Sequence, residues 1–264
     1  MRAIAIVAVL LAMTGPAMAE TVHLYAAGSL RGALTDMAKA FEAATGNTVQ
    51  SKFGASGLLK DEIVGGAKAD VFASANMEHP QALHDAGKSG TVVLFTRNKL
   101  CALVKPGLTV DSAGLLTRML DPGVKLATST PKADPSGDYA FAAFAKAEAI
   151  KPGAQAALEK KALLLTGAAD SAVPPPGRSP YGWHLAEGRA DIFLTYCTNA
   201  LAARKEILAL SITALPESLN VGADYGLTVM NGAAPAAQAL AQFIVSPEGQ
   251  KILTGYGFAP AGNK

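Results

Sequence analysis

The sequence predicts an α/β fold in two lobes, and three observations carry the prediction. Strand and helix periodicities alternate from residue 21 onward, the alternation restarts after a proline-rich loop at 173–180, and the 264 residues are 50% hydrophobic against 17% charged. Alternation of this kind implies a parallel sheet covered by helices on both faces. Domains of about 100 to 200 residues are usual, so the chain can build one large core or two modest ones. The apolar content argues against a disordered chain, and a net charge of only +2 argues against a strongly basic nucleic-acid binder. Gly 26 and Pro 15 beside 6% aromatic residues fit short loops between small, Ala-rich elements.

The first element is expected to be lost. Residues 1–19 read MRAIAIVAVLLAMTGPAMA, with one Arg, a short apolar run, a Gly-Pro break and the small-x-small pattern Ala17-Met18-Ala19. A membrane span needs about 20 apolar residues, so this reads as a signal peptide cleaved before Glu20. Its removal takes away Arg2 and no acid, lowering the net charge from +2 to +1. No lipid-acceptor cysteine follows it.

In 21–26, Val22 and Leu24 alternate with polar residues, as a strand requires. After Gly28-Ser29 the period changes, and Leu30, Leu34, Met37 and Phe41 recur at helical spacing. Ser29 is the expected N-cap of that helix and Gly46 its stop. A strand at 48–53, a short helix at 57–64 and a strand at 70–73 complete a βαβαβ unit. Strands at 100–104 and 124–128 precede helical stretches at 112–120 and 136–149. Beyond the proline-rich loop come a helix at 181–187 and a strand at 191–196. The tail reads as a strand at 226–230 and helices at 234–245 and 247–253, the last with Ser246 as N-cap and Pro247 in its first turn. The chain is expected to cross between lobes near 96–98 and to return near 222–224. That gives a first lobe of 20–97 with 224–264 and a second of 98–223.

The strand-to-helix turns carry the chemistry. Ser29, Ser56 and Ser136 each stand at an expected helix start beside small residues, and Tyr196 ends a strand. Each serine position combines a hydroxyl with unpaired backbone N–H groups at the positive end of a helix dipole. Such groups converging from two lobes would hold an anion without any formal positive charge. The plainer alternative for each serine is ordinary N-capping.

Enzyme motifs are weak. Gly54-Ala55-Ser56-Gly57-Leu58 departs from the nucleophile elbow G-x-S-x-G because residue 58 is Leu. Neither a phosphate loop nor G-x-G-x-x-G follows the first strand. His23, His79, His84 and His184 lack zinc-ligand spacing and are expected to be surface or core histidines. Cys101 and Cys197 could close a disulfide after export or stay as two buried thiols.

Read in order, LYAAGSL (24–30), FGASGLLKDEIVGGAKADVFASAN (53–76), NKLCALVKP (98–106), PSGDYA (135–140), ADIFLTY (190–196) and SPEGQKILTGYGF (246–258) resemble the periplasmic molybdate-binding proteins of ABC importers. The resemblance covers nearly the whole chain after residue 20 and is densest over 22–76. It implies a type II periplasmic binding protein: two Rossmann-like α/β lobes joined by a hinge, with the ligand cleft between them. It implies a non-enzymatic, periplasmic and monomeric receptor without cofactor. Molybdate or tungstate would be its ligand, an inner-membrane ABC permease its partner, and nucleic acid no partner. Carried over by position, the oxyanion donors would be Ser29, Ser56, Ser136 and Tyr196, with a backbone N–H near Arg178 or Ser179. There the sequence departs from the family pattern, and the Arg178 guanidinium could itself reach the anion. Two other readings are a receptor of this fold for another oxyanion, an organic acid or chelated iron, and a secreted serine hydrolase. Convergence of Arg178, Tyr196 and Tyr225 on one cleft would favour the first. A base such as His184 beside a cleft serine would favour the second.

Overall fold

The computed structural model describes residues 19–262, so the expected signal peptide lies, up to residue 18, outside the described residues. β1 (Thr21–Ala27) runs through a single 3-10 turn, Gly28–Leu30, into α1 (Arg31–Thr45). α1 buries Leu34, Met37 and Phe41 on one stripe, the spacing that predicted it. It stops at Gly46, whose φ of 74° is open to glycine because no Cβ clashes. β2 (Thr48–Gly54), α2 (Ser56–Val64) and β3 (Val71–Ser74) complete the expected unit, with β1 parallel to both β2 and β3.

α3 (Glu78–Asp85) has too few apolar residues for its period to be read, since among its hydrophobic positions only Leu83 is buried beside His79 and Pro80. β4 (Val93–Val104) is far longer than the expected 100–104. Its first part carries Thr96, Arg97 and Asn98, whose polarity hides a strand that is nevertheless paired on both sides. The chain then lays down α4 (Leu115–Leu120), β5 (Leu126–Ser129), α5 (Pro135–Ile150), α6 (Ala154–Lys161) and β6 (Leu163–Thr166). α7 (Pro180–Ala186) leads to β7 (Ile192–Tyr196), which passes without a loop into α8 (Cys197–Glu206). β8 (Ser211–Ala214), β9 (Gly222–Val229), α9 (Pro235–Val245), α10 (Pro247–Gly255) and β10 (Ala259–Pro260) close the chain.

The sheet order is β2-β1-β3-β9-β4-β7-β5-β6, with β8 and β10 also paired to β4. Both ends of this order are parallel, as the βαβ reading requires, but the middle is antiparallel. β4 changes partner along its length: Val93–Lys99 pairs with β9, and Leu100–Val104 with β7. One continuous strand therefore belongs to both lobes. The apolar core follows it, running from Leu24 and Phe41 through Phe95 and Tyr225 to Leu194 and Phe144. Cys101 on β4 and Cys197 at the start of α8 are disulfide-bonded, with Cα atoms 4.8 Å apart. The register explains the approach, because Cys101 faces Thr195 across the β4–β7 ladder. Among the described residues no helix is long and apolar enough to cross a membrane.

Candidate functional site

The carboxyl ends of β1, β2 and β3 and the helix starts beyond β5 and β7 meet at one cleft of ≈ 280 Å³. Ligands of open α/β sheets collect at such strand ends. The first lobe supplies Gly28, Ser29, Arg31, Ala55 and Ala75, and the second supplies Asp134, Gly167, Tyr181, Tyr196 and Asn199. A separate cavity of ≈ 360 Å³, lined by Glu78, Asp138 and Asp224, carries the wrong charge for an anion.

None of the three helix-start serines caps its helix. Ser29 lies in the 3-10 turn before α1, where it was expected as the N-cap, and no side chain caps that turn or α1. Its Oγ sits 2.9 Å from the hydroxyl of Tyr225 in β9. Asn98 donates to the same phenol oxygen at 3.2 Å and to Thr198 Oγ1 at 2.8 Å. With Asn98 already donating to it, Tyr225 can give its single proton to Ser29, which leaves the Ser29 proton for a ligand. Burial pushes the Tyr225 phenol well above its ordinary pKa, against the opposing bonds to Ser29 and Asn98, so it remains a donor at neutral pH.

Ser56 opens α2, whose N-cap position is Ala55 and has no side-chain cap. Its Oγ accepts the Ala75 N–H at 3.1 Å, which leaves the hydroxyl proton uncommitted. Tyr196 donates to the carbonyl of the same Ala75 at 3.3 Å, so one residue of the first lobe is gripped from both sides of the cleft. Burial raises the Tyr196 phenol well above its usual range, which also keeps it protonated. The lobes touch again where Gly57 N–H donates to Ala133 carbonyl at 2.9 Å. A Cβ on Gly57 would stand 2.3 Å from the Lys132 carbonyl oxygen, so the contact requires glycine.

Ser136 is fully buried in the first turn of α5, and its hydroxyl has no partner among the described residues. The cap there is Asp134, whose carboxylate accepts the Ser136 N–H at 3.1 Å. Burial raises the Asp134 carboxyl above its usual pKa, opposed by that backbone bond. Asp134 is legible in the sequence only as a capping signal, an Asp before Pro at a helix start, and not among the expected site residues.

The structure brings Ser29 and Tyr196 to the cleft surface, sets Ser56 beside the cleft residue Ala55, and buries Ser136 beside the cleft residue Asp134. Arg178 and Ser179 are not brought there. The Arg178 guanidinium pairs with Glu206, and Glu206 also accepts the Ser179 N–H at 2.7 Å. Ser179 caps α7, accepting the Gly182 N–H at 3.3 Å, so its hydroxyl is used locally. The expectation of an arginine at the cleft is corrected to a different residue, Arg31, in the first turn of α1. Arg178, Tyr196 and Tyr225 do not converge on one cleft, because Tyr225 is buried behind Ser29. His184 contacts the Leu165 carbonyl through Nε2 at 3.1 Å rather than a cleft serine.

Over residues 22–259 the chain matches the model of a family described as bacterial extracellular solute-binding protein. It is 35% identical over 243 residues to the uncharacterized protein PM1146 of Pasteurella multocida (strain Pm70), covering 91% of this chain and 99% of that one. It is 28% identical over 261 residues to the molybdate-binding protein ModA of Escherichia coli (strain K12), covering 94% and 93%. Two solved structures share its fold. The periplasmic molybdate-binding protein of Azotobacter vinelandii superposes with a TM-score of 0.71 at 20% identity, covering 90% of this chain and 98% of that one. The sulfate-binding protein SubI of Mycobacterium tuberculosis H37Rv does so with a TM-score of 0.74 at 19% identity, covering 92% and 88%.

Proposed function

This chain belongs to the bacterial extracellular solute-binding proteins, and from that premise we propose that it captures a tetrahedral oxyanion, molybdate or tungstate, in the cleft and delivers it to an ABC permease. The observation that carries this reading is the release of the helix-start serines from capping. Ser56 accepts one bond and keeps its proton, the Ser136 hydroxyl has no partner among the described residues, and Ser29 is aimed by Tyr225. Charge-assisted bonds from such donors contribute about 1.5 to 3 kcal/mol each. A ring of several would reach micromolar to nanomolar affinity after desolvation and closure costs. Donors set for a large oxyanion would leave some unpaired around sulfate, which discriminates by size. The similarity to molybdate-binding protein ModA supports the choice of anion.

In this reading residues 1–19 are a leader removed on export, the mature protein works in the periplasm as a monomer without cofactor, and it is not an enzyme. Lobes of 20–97 with 224–264 and of 98–223 close on the ligand about the strands β4 and β9, and the ligand favours the closed state. Titration calorimetry of the mature protein against molybdate, tungstate, sulfate, phosphate and chromate is expected to show tight binding of the first two. Binding of none of the five sinks the reading.

A further inference from the structure

We infer that Arg31 is an anion-contact residue that makes this receptor select doubly charged oxyanions. The inference rests on the oxyanion reading of the cleft and adds a specificity determinant to it. Among the described residues, Arg31 and Asp134 are the two charged ones of the cleft lining. Arg31 occupies the first residue of α1, two positions after Ser29, and no acidic residue stands in that first turn. A cation there adds to the positive end of the helix dipole rather than opposing it, which is unfavourable unless an anion shares the site.

The other guanidiniums with ionic partners show what Arg31 lacks. Arg97 pairs with Asp224, Arg118 with Asp121 and Arg178 with Glu206. Among the described residues no carboxylate lies within ion-pair distance of Arg31; its recorded contact is the ring of Phe53, 4.9 Å from the guanidinium carbon. That contact is made to the aromatic ring and does not occupy an N–H donor with an oxygen acceptor. Phe53 belongs to β2, which ends at the cleft residue Gly54, so the exposed Arg31 side chain meets the ring beside the cleft wall. A planar donor fork at this position suits a tetrahedral oxyanion, and its full charge responds to ligand charge where the neutral serines respond mainly to size.

Two probes of nearly equal size separate charge from shape: tungstate, a dianion, and perrhenate, a monoanion. Calorimetry of the full mature chain should show tungstate bound more tightly than perrhenate, with the tungstate affinity falling as salt is raised. Arg31→Gln should cost tungstate about tenfold or more and perrhenate distinctly less. It should also flatten the salt dependence, and Arg31→Lys should restore part of both effects. An unchanged tungstate-to-perrhenate ratio and salt slope in Arg31→Gln overturns the inference while leaving the oxyanion reading intact. Binding of neither anion, nor of molybdate, by the unaltered protein overturns both.

Discussion

The two walls of the cleft reach it through the same device, a strand running into a helix start, and then use it differently. On the first-lobe wall neither α1 nor α2 has a side-chain cap, Ser29 and Ser56 turn their hydroxyls to other partners, and a cation stands at the start of α1. On the second-lobe wall Asp134 caps α5 and Ser179 caps α7, so those helix starts are already satisfied by the protein's own oxygens. The difference teaches that a serine at a helix start is no measure of anion binding until its hydroxyl partner is known. The first wall holds the Ser29 and Ser56 protons in reserve, and the second holds one hydroxyl, that of the buried Ser136. The second also contributes the phenol of Tyr196, which donates to the Ala75 carbonyl, and a disulfide begins at the next residue, Cys197.

The strongest way to break this comparison is to cut that covalent tie. The bridge joins residues 96 apart in sequence, and closing a loop of that length stabilises by about 2 to 5 kcal/mol. Replacing both cysteines by Ser should lower the urea midpoint by a corresponding amount. A midpoint insensitive to both substitution and reductant would mean that the second wall is held by packing alone.

Next in size are the first-wall serines. Ser56→Ala removes a donor and leaves the buried Ala75 N–H without its acceptor, so oxyanion affinity should fall by about 2 to 3 kcal/mol, on the order of 30- to 150-fold. Ser29→Ala should cost about tenfold. Tyr225→Phe, which removes only the group that aims Ser29, should cost less than Ser29→Ala. Equal affinities in all three variants would dissolve the contrast between the walls.

The smallest effect belongs to Asp134. Its folded-state pKa is raised by burial, so its favourable contribution to stability is present below the unfolded pKa and is lost as pH rises through the folded value. A dianion in the cleft meets the same ionisation as repulsion, and its affinity should fall over that same pH range. Asp134→Asn keeps a good capping side chain. Above the pH at which Asp134 ionises it should raise dianion affinity by about three- to fivefold, and it should flatten the pH profile, read by calorimetry at several pH values. A variant that binds more weakly would show that the carboxyl accepts a hydrogen bond from the ligand.

Much of the fold is legible residue by residue, and the misses share a cause. Leu34, Met37 and Phe41 announce α1 because one face of that helix is buried and the other is wet. Gly46 and Ser246 mark helix ends by local backbone and side-chain bonds that neighbouring residues satisfy. The early part of β4 and the whole of α3 stay hidden because partners distant in sequence, β9 and β10 for one and β9 for the other, cover residues that look solvent-facing. The same limit applies at the site. Ser29, Ser56 and Tyr196 can be nominated from their place at strand ends, but Tyr225 and Asn98 act on Ser29 from 196 residues away and through a second bond. Arg178 is the one arginine that the sequence nominates, and its pairing with Glu206, 28 residues further on, decides against it, while Arg31 carries no signal read from the sequence.

The sequence by itself therefore determined the α/β alternation, most strand and helix positions, the hydroxyl-bearing turns and the near-neutral charge, because each depends on periodicity or on bonds within a few residues. Only the tertiary structure decided that the serines are not caps, that Arg31 rather than Arg178 faces the cleft, that Asp134 fills its own helix start, and that the two cysteines meet. Each of those outcomes is a choice between partners brought together by β4, β7 and β9. A hydroxyl, carboxylate or guanidinium commits to whichever partner the folded chain places within about 3 Å.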